Sequence, residues 1–417
     1  MFRIGLGKAQ ITPPWRTRLA GYVDRAGVSA GTHDHLWARV VILEHESAGW
    51  VLVVLDLMAI SSSLLEKVRQ RVHAITGVPL WCISVAATHT HSAPELDEDV
   101  EIFISDRVEK AAISAWENCV PGKVGIGFGL VTGLACNRQS REGYADQTVT
   151  VLRFDDLQGC PLCVLVHYAA HPTVLNQYNL YYSRDFPGVA VDYLESKLGS
   201  SVMAIFINGA AGDISTRYTR KNSTFSEVKR LGSLLGEKAA EIAASIRTEV
   251  PSQVLVTRSI VEIPRRQPMA KQELLRIKDE TLCTLDSLQE SGASSVELRE
   301  LQSLVEGVKL VLKREAVKPT REGPVKAELQ VIHIGIGGGF TIAAIPGELA
   351  ALLGTKLKTQ TGCDLVMGYT NGYIGYIVET EQQEFNYEVI VSELAQEAGE
   401  YIISEVNKLM KEIEECL

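Results

Sequence analysis

From residue 1 to about 260, short apolar runs alternate with segments whose apolar residues recur every three or four positions. That alternation confines the chain to an α/β architecture. Strand candidates are "RVVILEH", "WVLVVLDL", "LWCISVAA", "GKVGIGFG", "TVTVLRF", "PLCVLVHYAA" and "SVMAIFING". Amphipathic helices lie between some of them: "SSSLLEKVRQRVHAITG", "DRVEKAAISAWENC" and "SEVKRLGSLLGEKAAEIAASI". The first opens on serines, good N-cap residues. The pattern predicts a mixed, partly parallel central sheet flanked by helices.

Composition shifts near Arg265, where two charged amphipathic segments flank the turn "SGAS". Residues 265–325 therefore read as a helical-hairpin insertion. A solvated surface insertion is the plain reading, and a lid or a dimer contact the alternatives. Strand pattern returns in "AELQVIHIGIGGGFTIAAIPGEL", and the chain closes on an amphipathic helix. No internal repeat or low-complexity linker divides residues 1–417, so one catalytic domain carrying the insertion is expected.

The formal net charge is -10 and no Lys/Arg block stands out, which leaves a nucleic-acid partner without electrostatic support. No apolar run is long enough to span a bilayer, so no integral membrane segment is expected. The start "MFRIGLGKAQITPPW" lacks a signal-peptide pattern, and the expected location is cytoplasmic. The 8 cysteines of such a chain do not suggest a disulfide framework. "CPLC", Cys160 to Cys163, is half a structural zinc site with no second half, and reads as a turn entering a strand. Oligomeric state is not legible.

Chemistry concentrates where apolar strands end, which is where open α/β sheets gather ligands. "ATHTHSAPE" places His89 and His91 just past one strand. Were they still on the strand, both rings would share a face; in a loop they would diverge. His171, followed by Pro172, closes "VLVHYAAHPTVLN", and His167 lies inside that strand as a structural residue. "FINGAAGDIST" ends in a small-residue loop with Asn208, Asp213 and Ser215, but lacks a phosphate-loop pattern. Glu348 follows "AAIPG", where it could instead cap the next helix. Tyr369, Tyr373, Tyr376 and Tyr387 lie in "MGYTNGYIGYIVETEQQEFNYE".

Taken in order, these blocks resemble the neutral/alkaline (non-lysosomal) ceramidase family, zinc amidases. They are "GKAQITPP", "LAGY", "GTHDHLWARVVIL", "THTHSAP", "NRQ", "AAHPTVL", "NGAAGDIST", "IPGEL" and the tyrosine block. The resemblance implies a Zn2+ site made by His89, His171, Glu348 and Tyr376. It implies His91 as acid/base, Arg138 and Tyr387 beside the reacting carbonyl, and Ser215 at the site. His33, Asn208 and Asp213 would line the substrate pocket; Asp213 reads equally as a support behind a histidine ligand or as a turn residue. The expected form is a short, cytosolic-type homologue holding only the catalytic domain. It departs from the family pattern at Ala93, where glycine is usual, and in lacking a proline after Ser215.

The implied reaction is hydrolysis of a linear amide by metal-activated water. The substrate would be a small-molecule amide, lipid-like or smaller. Two alternatives carry different chemistry: an amidase or esterase using Ser215 as nucleophile, and a non-catalytic ligand-binding homologue.

Overall fold

The computed structural model describes residues 2–46, 48–317, 323–379 and 386–417. An eight-stranded sheet runs in the order Met203–Asn208, Pro161–Tyr168, Thr148–Asp156, Val120–Leu130, Phe2–Gln10, Trp37–His45, Ala48–Leu55, Ile83–Ala87. The first two strands are parallel, as are the last two; every pairing between is antiparallel. The predicted mixed, partly parallel sheet is therefore present. The opening segment "FRIGLGKAQ" is one of its central strands.

Strand periodicity explains how this sheet is covered. Val40, Ile42, Val53 and Val85 face the helices Ser62–Thr76 and Glu98–Glu117. Val151, Val166 and Phe206 face the helices Asp185–Leu198 and Phe225–Ser245. The intervening residues, such as Val41, Leu52 and Leu165, pack on a second sheet through Ile332, Ile342 and Met367. That sheet has four strands, Val254–Ile263, Val325–Ile334, Phe340–Ala344 and Leu365–Met367. Its outer face is covered by Ala351–Thr361 and the final helix Ala398–Cys416. Strands buried on both faces read as nearly unbroken apolar runs, so sequence pattern did not reveal that one cover is a sheet. The helix Asp185–Leu198 also escaped pattern reading, because Pro187 and Gly188 interrupt its start; proline is tolerated in a first turn.

The predicted hairpin consists of helices Lys271–Glu290 and Ser295–Val317, with 318–322 outside the described residues. Leu274, Ile277, Val308 and Val311 join the helices and receive Ile390. The hairpin is inserted between two paired strands, leaving after Ile263, whose register partner is Val325. Among the described residues, no helix is long and apolar enough to cross a membrane.

Both outer strands of the large sheet are tied to one segment of the small sheet. Beyond Met367 the chain donates from Gly368 N to Asn208 O at one edge. Ala87 N donates to Tyr369 O, and Asn371 N to Val85 O, at the other. The C-terminal ends of three parallel pairs thus meet in one place.

His167 illustrates the interior. Its Nε2–H donates to Val366 O at 2.9 Å, and burial pushes its pKa down to about 4. The unfolded chain therefore binds more protons between pH ~6.5 and ~4, so this residue makes stability fall as pH drops through that window. The expected contribution is about 3 kcal/mol. His167→Gln keeps a donor for Val366, so its urea-unfolding free energy should lose less between pH 7 and 4.5 than the wild type's does. Parallel losses would contradict a neutral, buried His167.

Candidate active site

His89 and His91 lie beyond the strand Ile83–Ala87, in a loop, yet their rings converge. His89 takes a left-handed backbone conformation with φ 68°, unusual outside glycine. With that turn, Nε2 of His91 lies 3.2 Å from Nε2 of His89. Tyr369 and Asn371, on the segment beyond Met367, are also left-handed, at 54° and 62°. Tyr369 stacks on His89 with centroids 4.0 Å apart. Strain of this kind costs about 1–3 kcal/mol per residue and persists where surroundings enforce it.

The opposite ring nitrogens fix the tautomers. Nδ1 of His89 meets Met58 O at 2.6 Å, and Nδ1 of His91 meets Gly21 O at 3.0 Å. Nδ1 of His171 lies 2.7 Å from Ala211 O and 3.1 Å from Ile214 O. Carbonyls only accept, so each Nδ1 carries the hydrogen and each Nε2 of a neutral ring presents a lone pair. Gly21 is required for its part: a Cβ there would meet the His91 ring at 2.5 Å, and its φ is +100°.

Glu348 completes the set. Its Oε2 is 2.9 Å from His171 Nε2 and 3.4 Å from His89 Nε2. Oε2 and His171 Nε2 are both buried without a hydrogen-bond partner. Burial opposes the Glu348 charge, but the His89 and His171 imidazoles outweigh it and hold the carboxyl well below its usual range. Burial pushes His171 down to about 4, aided by the Arg138 charge, and burial first, then His89, hold His91 well below its ordinary value. At neutral pH His91 and His171 are thus neutral imidazoles facing one carboxylate. Acceptors converging with no proton between them call for a cation, and neutral imidazole plus carboxylate is the protonation state a metal requires. The ring nitrogens of His89, His91 and His171 all lie within 4.8 Å of one another and could hold a metal ion. The helix after Glu348 is capped from elsewhere: Asp213 Oδ1 accepts from Ala351 N at 2.8 Å.

Two tyrosines face this set differently. Tyr373 donates its hydroxyl to Glu348 Oε1, although the residue is 38 % exposed. Tyr376, beside Glu348 in backbone register, accepts from Arg138 Nη2 at 3.1 Å. Burial raises the Tyr376 pKa well above its ordinary value, with Glu348 adding to the effect. Arg138 lies with Cζ 5.6 Å from both the Tyr376 and Tyr387 ring centroids. Burial works against its charge, but Glu388, bonded to Arg138 Nε at 2.5 Å, outweighs it.

The other expected site residues separate. Asn208 is buried with both ends occupied, accepting from Ala170 N and donating to Thr88 O and Ala170 O; it ties strand ends together rather than facing substrate. Asp213 does not support His171, whose Nδ1 uses backbone carbonyls of the same loop; its carboxylate binds Asn137 and Ala351 instead. Ser215 lies in the site, its Oγ accepting from Arg217 N at 3.2 Å. His33 points away: half-exposed, it pairs with Asp34 and stacks on Phe225, because residues 31–32 are paired with 181–182 on another face. Cys160 and Cys163 are free thiols, one exposed at a turn and one buried in a strand. Sequence reading missed Tyr373 as the Glu348 partner, Glu388 and Gly21. Glu388 did carry a signal: it directly follows Tyr387.

A cavity of about 560 Å³ opens over His89, His91 and Glu348, with Met58, Ile374 and Val391 among its apolar walls. Leu310, Lys313 and Arg314 of the second hairpin helix close one side. A smaller cavity of about 90 Å³ adjoins it, sharing His91, Tyr376 and Tyr387.

Comparison with known proteins finds relatives in sequence and in fold. The family model described as neutral/alkaline non-lysosomal ceramidase, N-terminal, matches residues 2–97. Neutral ceramidase of Pseudomonas aeruginosa is 24% identical over 455 aligned positions, covering 91% of this chain and 67% of that protein. Neutral ceramidase of Drosophila pseudoobscura pseudoobscura is 28% identical over 252 positions, covering 51% of this chain. That alignment takes in only 36% of the Drosophila protein's length. The crystal structure of the Pseudomonas aeruginosa neutral ceramidase superposes with a TM-score of 0.78 at 22% identity, covering 100% of this chain and 75% of that one. Residues 2–97 thus match the neutral/alkaline non-lysosomal ceramidase family model, and the whole chain shares the fold of a neutral ceramidase.

Proposed function

We propose that this protein is a zinc-dependent hydrolase of linear N-acyl amides. The observation that carries the reading is the cluster of His89, His91, His171 and Glu348, of which His89, His91 and Glu348 line the larger cavity and His91 both. Relatives named neutral ceramidases, and a similar fold in a ceramidase complexed with C2, support an amide substrate with an acyl chain. His89, His171 and Glu348 hold the ion, with Tyr376 as fourth donor. When bound, zinc supplies Lewis acidity, making water nucleophilic near neutral pH.

The remaining work falls to the chain itself. The apolar walls of the larger cavity receive the acyl chain. Arg138, kept charged by Glu388, faces the carbonyl oxygen with Tyr387 and favours negative charge developing there. His91, present in both cavity walls and neutral, accepts a proton through Nε2 and returns it to the leaving nitrogen. The C–N bond breaks, a C–O bond forms, and amide plus water gives carboxylate plus ammonium. Ser215 is less suited to lead, since no histidine nitrogen among the described residues is hydrogen-bonded to its Oγ.

The test is chelation. Hydrolysis of medium-chain N-acyl amides should stop when zinc is stripped and return when it is restored. Ser215→Ala should stay within ~10-fold of wild type, well short of a lost nucleophile. Chelator-resistant activity abolished by Ser215→Ala would instead establish the serine mechanism.

A further inference from the structure

The smaller cavity has a charge character that a neutral amide does not use. Four guanidinium groups line it: Arg138, Arg217, Arg220 and Arg299. Two are matched by carboxylates, Arg138 by Glu388 and Arg299 by a bidentate contact to Glu306 at 2.6 and 3.0 Å. The other two have no ion pair among the described residues. Arg217 donates to Arg138 O at 2.9 Å and Ser303 Oγ at 3.0 Å, and Arg220 donates to Thr173 O. The nearby Asp185 carboxylate is taken by the Leu175 and Phe186 backbone N–H groups.

Cations gathered in a low-dielectric cavity without counter-ions are costly unless a ligand brings the charge. The imbalance extends to both cavities: nine arginines and lysines line them against four glutamates. The chain as a whole is acidic, with a net charge of -10. The positive field is therefore local to the place where substrate would enter, and such a cleft concentrates anions.

We infer that the cavity lined by Arg217 and Arg220 binds a carboxylate on the amine half of the substrate, making the preferred substrates N-acyl amino acids rather than neutral amides. This rests on the amide-hydrolase reading. The acyl chain occupies the larger cavity, the scissile bond lies over His91 where the cavities meet, and the carboxylate enters the smaller one. A volume of about 90 Å³ suits a compact amino-acid portion and not a second long chain. Hydrolysis then gives a fatty carboxylate and a free amino acid, with one water consumed.

The experiment compares N-octanoylglycine with the isosteric neutral N-octanoylglycinamide on the zinc-loaded enzyme. Wild type should favour the carboxylate at least ~10-fold in kcat/KM, the scale of hydrogen bonds to a charged group. Arg217→Gln and Arg220→Gln should pull that ratio toward one, and Arg220→Lys should restore part of it. Equal rates for the two amides in wild type, or variants that slow both amides alike, would overturn the assignment. Titration calorimetry with the ketone isostere of each amide separates this from the hydrolase reading. A carboxylate preference in binding without any turnover would sink the hydrolase and keep the subsite. Turnover without such a preference would sink the subsite alone. An N-octanoyl aminomethylphosphonate favoured over the glycine compound would show a phosphonate-type site and overturn the carboxylate assignment.

Discussion

Replacing Glu348 with alanine is expected to remove zinc and amide hydrolysis together, with activity falling on the order of 10³-fold or more. That is the scale of the several kcal/mol a metal Lewis acid contributes. Elemental analysis beside a rate measurement checks both losses. Glu348→Gln gives a sharper test, because its amide can donate to the His171 Nε2 that now faces another acceptor at 2.9 Å. Zinc-free Glu348→Gln should be more stable than zinc-free wild type by about 1–3 kcal/mol, the cost of an unsatisfied buried polar group. Wild type should gain about 4 kcal/mol from free zinc at a thousandfold excess over Kd, and the glutamine variant almost nothing. Equal zinc stabilisation of both proteins would take Glu348 out of the metal site. The same titration on Tyr376→Phe reads its role. Weakened zinc binding fits a ligand; unchanged binding with slowed hydrolysis places the hydroxyl with Arg138 at the carbonyl.

His91→Ala is expected to separate what Glu348→Ala joins. Zinc should remain, held by His89, His171 and Glu348, while hydrolysis falls ~10²–10⁴-fold, the range of general acid–base catalysis. Burial first, and His89 next, depress the His91 pKa, so its proton-accepting form persists well below pH 6.5. The acid limb of the wild-type rate profile should accordingly lie below that of a free imidazole. Added imidazole should recover part of the lost rate, since the larger cavity reaches the vacated position. Loss of zinc from His91→Ala would make all three imidazoles ligands and leave the proton to another group.

Much of this was legible in the residues because buried strands and their end points have strong local signatures. His89, His171 and Glu348 each follow an apolar run, and strand ends are where the sheet edges bring chains together. What sequence could not give depended on backbone turns and three-dimensional neighbours. Loop geometry alone predicted that His89 and His91 diverge; the left-handed turn at His89 reverses that. Tyr373 and Tyr376 are three residues apart in a loop, where spacing carries no face, so which hydroxyl meets Glu348 was not readable. Asp213 looked like a support for a histidine ligand because its loop, like the histidines, follows a strand end. Its carboxylate instead reaches across 138 positions to the first turn of a helix. Arg217 and Arg220 carry no distinguishing local pattern; only the fold brings Arg299, from the inserted hairpin, to the same cavity.

The insertion is rooted at one place in the small sheet. Its two ends leave the sheet as register partners, Ile263 and Val325, so the segment hangs from a single doorway in the scaffold. Everything that would perform the reaction is carried by other strands and loops, while Leu310, Lys313, Arg314 and Arg299 contribute walls. Part of the wall that meets substrate is thus written in a stretch of chain apart from the chemistry. Drift or exchange within residues 265–325 can retune which molecules are admitted while the machinery beneath stays as it is.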